Sequence, residues 1–169
     1  MTINYPEEKN INGPLIFLAG PIECAPLWQE EAAKILQSLD DKITIVSPRM
    51  KNDEVEKNLD EAARIKKTDW ETKYLNQAAQ NGAILFWLAK RIKNIPSQAY
   101  AKSSRFEISE WKEKYHNSKF NLSIGIETGF EGDWYIQHRL SQDCPDLKIF
   151  STLVDTCKSA IQLISKSNL

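Results

Sequence analysis

Cysteine and histidine are scarce in this chain of 169 residues. Its three cysteines, Cys24, Cys144 and Cys157, form no C-x-x-C pair, a pattern typical of reduced, mostly buried thiols rather than of a disulfide framework. The two histidines, His116 and His138, have no second ligand candidate near them in the sequence. We therefore expect no zinc or iron site.

Long apolar runs and a dominant charge are also missing. The longest apolar stretch, residues 83–89, is far shorter than the roughly 20 residues that cross a bilayer. The amino terminus is polar and acidic where a secretory signal would be basic and then apolar, so the chain is expected to be cytoplasmic. The net charge of -1 argues against electrostatically driven binding to nucleic acid or to an anionic membrane.

Several common catalytic and phosphate-binding motifs are absent. No G-x-G-x-x-G follows the first predicted strand, and no G-x-x-x-x-G-K-[ST] or G-x-S-x-G occurs. The usual cradles for dinucleotides and triphosphates, and the serine hydrolase elbow, therefore have no support in the sequence. Carboxylate chemistry remains as the best-supported class.

Short apolar runs alternate with helical patterns along the chain. Strands are predicted at residues 15–19, 43–46, 82–89, 121–127 and 147–150, and the most hydrophobic of them, 82–89, is expected to be central in the sheet. Apolar spacings of three and four predict helices from Pro26 to Leu39, over residues 68–81, from Ser103 or Ser104 to about His116, and at the carboxyl end. Residues 1–13 are predicted to be a loose arm, the charged stretch 51–73 a solvated helix and loop, and residues 90–102 a long loop that can act as a lid.

This alternation predicts one α/β domain over residues 1–169. We expect an open, mostly parallel sheet of about five strands with helices on both faces, of the flavodoxin or Rossmann-like type. Sheets of this kind bind ligands beyond the carboxyl ends of their strands, next to the point where the strand order reverses. The candidate site should lie there.

Carboxylates and aromatic residues gather at the segments that this topology would bring together. The pieces occur in the order FLAGPI, Trp28 in the next helix, SPR after the second strand, the pair Trp70 and Glu71, ILFWL, and Ser104-x-x-Glu107 at the start of a helix. In this order they resemble the nucleoside 2-deoxyribosyltransferase-like family. The similarity runs over residues 15–135, and each single motif in it is short.

The resemblance implies a nucleophile and an acid. It makes Glu107 the nucleophile that attacks the anomeric carbon of a 2-deoxyribose, and a carboxylate in a first helical turn is expected to stay ionised. Glu71 and Asp69 are the candidates for the acid that protonates the leaving base, and the matching Trp-Glu pair favours Glu71. From the residues alone, Glu71 has an alternative role as the capping-box partner of Thr68.

Other residues are candidates for substrate binding. The aromatic side chains of Phe17, Trp28 and Trp70 suit stacking on a nucleobase, but also a place in the core. The backbone at Gly20 and Ile22 can approach a ligand closely. Ser103 and Ser104 suit a sugar hydroxyl or a phosphate, or simple N-capping, and Arg49 of SPR is a further binding candidate.

The chain departs from the family pattern in two places. Ala101 stands six residues before Glu107, where classical members have an aspartate, and Tyr74 and Asn81 replace acidic residues of the preceding helix. Three functions therefore stay open: deoxyribosyl transfer between nucleobases, hydrolysis of a deoxynucleoside 5-monophosphate, and non-catalytic nucleotide binding. The resemblance also implies a homo-oligomer, to which Trp134 and Tyr135 are candidate contributors.

Overall fold

A computed structural model describes residues 1–50, 58–96 and 99–167 of the chain. It has an α/β architecture in which a parallel sheet is flanked by helices. The strands are β1 (Thr2–Asn4), β2 (Leu15–Ala19), β3 (Thr44–Ser47), β4 (Gly82–Leu88), β5 (Leu122–Ile126) and β6 (Ile149–Phe150). The helices are α1 (Trp28–Leu39), α2 (Glu61–Asn81), α3 (Lys102–Asn117), α4 (Asp133–Asp143) and α5 (Leu153–Ser167).

The six strands follow the order β1-β3-β2-β4-β5-β6, and every neighbouring pair is parallel. Without β1, this is the 2-1-3-4-5 order of doubly wound, flavodoxin-like sheets. The predicted fold class is thus confirmed. The order reverses between β2 and β4, so the carboxyl ends of these two strands form the switch point.

The central strand β4 is completely buried, as its uninterrupted apolar sequence predicts. Its side chains alternate between the two faces of the sheet. On one face, Phe17 of β2, paired in register with Ile84 of β4, lies next to Trp70 of α2. On the other face, Trp87 of β4, paired in register with Gly125 of β5, approaches the side chain of Thr156 on α5. Helices α2 and α5 therefore cover opposite faces of the sheet, and α1 packs against α5.

The expectation of a loose arm over residues 1–13 is wrong. Residues 2–4 form the edge strand β1 beside β3, which makes the sheet one strand larger than predicted. Ile3 is fully buried, Tyr5 packs edge-to-face on Trp70, and the Trp70 indole donates a hydrogen bond to the Glu7 carbonyl at 2.9 Å. A strand of three residues is too short to show the alternation by which strands are recognised in a sequence.

Two helices also differ from the predictions: α2 is longer at its amino end, and α4 is an additional helix. Helix α2 begins at Glu61, because Asp60 caps it through a 2.8 Å hydrogen bond from the Ala63 amide. Helix α4 was not predicted. Its only buried residue is Leu140, so it has no apolar stripe that the sequence could reveal. Of the charged stretch 51–73, residues 51–57 lie outside the described residues.

None of the helices in the described ranges has the length and apolar character needed to cross a membrane.

Candidate functional site

A cleft of about 950 Å³ opens at the carboxyl edge of the sheet. Its walls are the loop that follows β2, the segment that leads from β4 into α3, and the facing sides of α2 and α3. This is the switch point of the strand order, where doubly wound sheets bind their ligands. Of the residues proposed from the sequence, the cleft is lined by Phe17, Gly20, Ile22, Glu71, Ser103, Ser104 and Glu107.

The loop after β2 requires glycine at its first position. Gly20 has φ +146°, and a Cβ atom there would lie 2.2 Å from the Trp87 carbonyl oxygen. The glycine is thus demanded by the neighbouring strand β4, so its absence of a side chain serves the protein's own packing. Cys24, in the same loop, also has a positive φ of 60° and lines the cleft.

Arg49 is a support of this loop and does not line the cleft. Its buried guanidinium donates to the carbonyls of Ile22 at 3.1 Å and Pro26 at 3.2 Å, and to the Gln29 side-chain oxygen at 3.0 Å. The prediction that Arg49 binds substrate is therefore replaced by a structural role. A buried cation must be paired with acceptors, and here the acceptors are the carbonyls of the cleft wall.

All three proposed stacking residues belong to the core. Trp28 is buried and donates a hydrogen bond to the Pro21 carbonyl at 2.8 Å, while Trp70 is enclosed by Tyr5, Phe17 and Tyr74. Neither lines the cleft, which leaves Phe17 as the member of the set that does. Trp28 and Trp70 therefore support the cleft from the core side.

Helix α2 brings Glu71 into the cleft. Its carboxylate lies 2.7 Å from the Lys67 ammonium group one helical turn earlier, and both side chains are mostly buried, with 19% and 14% of their surface exposed. Because Thr68 and Glu71 lie in the middle of α2, the capping-box alternative for Glu71 is wrong; the Thr68 hydroxyl bonds to the Arg64 carbonyl instead. Asp69 is exposed and does not line the cleft.

Helix α3 brings Glu107 to the opposite wall. The helix begins at Lys102, and its N-cap is Ala101 in the left-handed conformation without a side-chain capping bond, so neither Ser103 nor Ser104 is the cap. Ser104 is buried against the cleft, and Ser103 is exposed. Glu107 is therefore the sixth residue of α3, beyond the first turn, where the helix macrodipole acts most strongly.

The environment of Glu107 disfavours its charged form. Burial, and next the negative charge of Glu71, raise the pKa of the Glu107 carboxyl to about 7, while Lys67 opposes this rise. Burial thus acts against the expectation that the helix terminus keeps this carboxylate ionised. At neutral pH Glu107 exchanges its proton readily, which is the property required of a carboxyl group in acid, base or nucleophilic catalysis.

Positive side chains are numerous in the cleft. It is lined by the cations Arg64, Lys67, Arg91, Lys93, Lys102 and Lys114 and by the anions Glu23, Glu71, Glu107 and Glu110. The cations outnumber the anions in a protein whose net charge is -1. An anionic ligand is therefore favoured in this cleft over the rest of the surface.

The segment between β4 and α3 closes one end of the cleft. The Ile92 amide donates to the Cys24 carbonyl at 2.8 Å, and the Tyr100 hydroxyl donates to the Ala89 carbonyl at 2.6 Å. Arg91 is also ion-paired with Glu131 at 2.6 Å. The proposed lid is thus tied to the body at several points; Ser97 and Gln98 lie outside the described residues.

Lys67 and Tyr100 are among the cleft residues that sequence reasoning missed. Lys67 had a signal in the sequence, because a lysine four residues before a glutamate can form an ion pair on a helix. The helix predicted over residues 68–81 began one residue too late to include it. Tyr100 had none, since its position depends on the path of the loop. Across the described residues, no group of three or more His, Cys, Asp or Glu side chains is arranged to hold a metal ion.

Comparison with known proteins found no matching family model and no match among curated proteins.

Proposed function

We propose that this protein cleaves the N-glycosidic bond of 2-deoxynucleosides and transfers the deoxyribosyl group to another nucleobase. The observation that carries the proposal is the pair Glu71 and Glu107, which share one cleft at the switch point of the sheet. A retaining glycosyl transfer needs two carboxyl groups beside the scissile bond, one ionised to attack the sugar and one protonated to release the base. Glu107 and Glu71 provide such a pair, and the pKa of about 7 of Glu107 leaves a substantial ionised fraction of this group at neutral pH.

In the first step of the proposed reaction, a Glu107 carboxylate oxygen forms a bond to the anomeric carbon of the sugar. The bond from this carbon to the base nitrogen breaks, and its electron pair stays on the departing base, which takes up the proton held by Glu71. In the second step, a nitrogen of the incoming base attacks the same carbon, the ester bond breaks, and its electron pair returns to Glu107. Two inversions give retained configuration at the sugar.

Glu71 is the proposed acid–base partner of Glu107. After giving up its proton to the leaving base, Glu71 is a carboxylate, and in the second step it takes the proton from the incoming base. The Lys67 ammonium group, 2.7 Å away, stabilises this ionised intermediate state of Glu71. The same group, once protonated in that step, can deliver the proton to the leaving base of the next cycle. The resemblance to the deoxyribosyltransferase-like family favours Glu71 over Asp69 for the acid role, and the place of Glu71 in the cleft, which Asp69 does not line, supports this choice.

Hydrolysis of deoxynucleoside 5-monophosphates is the second candidate function, and the six cations of the cleft favour it. In this reaction water takes the place of the incoming base. The amino end of α3 with Ser103, Ser104 and Lys102 is the part of the cleft best suited to a phosphate, because its amide groups and the lysine are both positive.

The remaining features of the proposal concern its setting. We propose a cytoplasmic enzyme of nucleotide salvage that works as a homo-oligomer and takes a small-molecule nucleoside or nucleotide as its substrate. The exposed side chains of Trp134 and Tyr135 on α4 support an association between copies. Carboxylate catalysis of this kind requires no metal or organic cofactor.

The test uses the purified full chain with a panel of 2-deoxynucleosides and their 5-monophosphates, with and without adenine or cytosine as acceptor. Products are separated by chromatography, and Glu107→Gln is run in parallel. A new nucleoside that appears only with the unmodified protein supports transfer, and free base alone supports hydrolysis. If both proteins are inert while nucleotides raise the melting temperature of both equally, the cleft binds without catalysis and the enzymatic proposal is wrong.

A further inference from the structure

Among the cations of the cleft, Lys67 is the one that is ion-paired with a glutamate of the proposed catalytic pair. It lies on α2 one turn before Glu71, its ammonium group is 2.7 Å from the Glu71 carboxylate, and only 14% of its side chain is exposed. The ammonium group also lies 5.9 Å from the centre of the buried Tyr5 ring, which follows the edge strand β1. Lys67 is therefore held from two sides, by a carboxylate and by the amino-terminal segment.

The surroundings of Lys67 contain two carboxyl groups that interact with each other. Glu71 and Glu107 line the same cleft, and the charge of Glu71 acts on Glu107. Two like charges in a partly buried site cannot both be ionised without a compensating cation. Burying the Lys67 ammonium group also costs free energy, because its charge loses contact with water. The ion pair with Glu71 offsets this cost.

We propose that Lys67 is a positioning residue for this carboxylate pair: its ammonium group holds the Glu71 carboxylate in place and supplies the positive charge that lets Glu107 ionise beside it. Its importance for turnover rests on the proposed function, since a nucleophilic Glu107 must be ionised to attack. The electrostatic role itself requires no substrate.

Three charged groups on two helices act on the ionisation of Glu107. Glu71 and Lys67 act from α2, and Glu110 acts from its own helix α3. Glu110 is an exposed residue in an ion pair with Lys114 at 2.6 Å. Lys67 is the one of these groups that favours the charged form of Glu107.

The experiment measures the titration of Glu107 directly by carbon NMR of protein labelled at the glutamate carboxyl carbon. The Glu107 signal is assigned by its loss in Glu107→Gln. In Lys67→Met, which keeps an unbranched side chain one atom shorter but removes the charge, we expect the midpoint of the titration to move upward by about one pH unit. Lys67→Arg should restore it, and Lys66→Met, at the exposed neighbouring position, should leave it unchanged.

A double-mutant cycle separates the electrostatic role from a loss of packing. Glu71→Gln removes the like charge and should lower the Glu107 midpoint, and Lys67→Met should then have a smaller effect than in the unmodified protein. This arm also serves if Lys67→Met alone is too unstable, because Lys67→Gln and Glu71→Gln can be titrated in its place. An unchanged Glu107 midpoint in folded Lys67→Met or Lys67→Gln would overturn the proposal.

Turnover distinguishes this proposal from the proposed function. If nucleosides are converted, the acid limb of kcat/KM against pH should move upward in Lys67→Met together with the NMR midpoint, whereas a merely structural role would lower the rate equally at every pH. If no nucleoside or nucleotide is converted but the midpoint moves, the role of Lys67 stands and the proposed function fails. If turnover is found and the midpoint does not move, the reverse holds.

Discussion

The carboxylate of Glu71 raises the pKa of Glu107, although the two residues lie on different helices and are 36 positions apart in the chain. Helices α2 and α3 carry them to opposite walls of one cleft beyond the carboxyl ends of β2 and β4. Burial of Glu107 contributes most to the rise, and the charge of Glu71 comes next. The coupling therefore depends on the tertiary structure and gives the cleft a group that titrates near neutral pH.

Glu107→Gln should make protein stability less sensitive to pH. The pKa of Glu107 is raised from 4.5 to about 7 on folding, so the folded state binds the extra proton and the contribution of Glu107 to stability is lost as pH rises from about 4.5 through 7. The stability of the variant relative to the unmodified protein should therefore increase by on the order of 2 kcal/mol between pH 4 and pH 8, after allowance for partial exposure. Urea unfolding at both pH values measures this difference.

Glu113→Gln is the matched control for that experiment, because it changes an exposed glutamate on the same helix that is not among the groups acting on Glu107. Its relative stability should vary much less with pH. If Glu107→Gln gave the same difference from the unmodified protein at pH 4 and pH 8, the titration of Glu107 near neutrality would be refuted.

Gly20→Ala should destabilise the protein through the strand behind the cleft. The new Cβ atom would lie 2.2 Å from the Trp87 carbonyl oxygen, and φ at this position is +146°. Because the obstacle is backbone, β4 or the loop must move, and we expect a cost of about 3 kcal/mol or more. Gly13→Ala is the control, since a Cβ atom there meets nothing within 4 Å. Equal thermal unfolding midpoints for the two variants would contradict this account.

Arg49→Met should loosen the loop that forms the cleft wall. It removes hydrogen bonds to the carbonyls of Ile22 and Pro26 and to Gln29, and we expect a loss of about 2 to 4 kcal/mol in the free energy of unfolding. Amide hydrogen exchange in residues 20–26 should increase at the same time. Faster exchange confined to other regions, or a variant that loses ligand affinity with an unchanged loop, would show that Arg49 acts on the ligand instead.

Trp87→Ala should be among the most destabilising single changes, at roughly 3 to 5 kcal/mol, because a large side chain is lost from the central strand. Trp134→Ala offers a comparison of identical chemistry on the surface, where 71% of the side chain is exposed. Denaturant unfolding of the two variants should differ by several kcal/mol. A Trp87→Ala protein as stable as Trp134→Ala would be incompatible with the central position of β4.

Much of the fold was predictable because its elements have strong local signals. The apolar run of β4, the short runs of β2, β3 and β5, and the apolar stripe of α1 predicted a parallel sheet and the edge at which its site lies. The three-residue strand β1 and the weakly buried helix α4 carry no such signal and were missed. The position of β1 is decided by its pairing with the distant strand β3, and α4 buries one residue of its own, Leu140.

The candidate site divides in the same way. The sequence by itself predicted the parallel sheet and the edge at which its site lies, because strands and helices have local patterns, and the family resemblance picked out Glu107 and Glu71 as candidates for that site. Only the tertiary structure decided that Arg49, Trp28 and Trp70 support the cleft from behind, that Asp69 faces away from it, and that Lys67 belongs to it. Whether a side chain points into a cleft or into the core depends on helix rotation and on packing between distant segments. The charge state of Glu107 depends on burial and on neighbours that only the folded chain brings together.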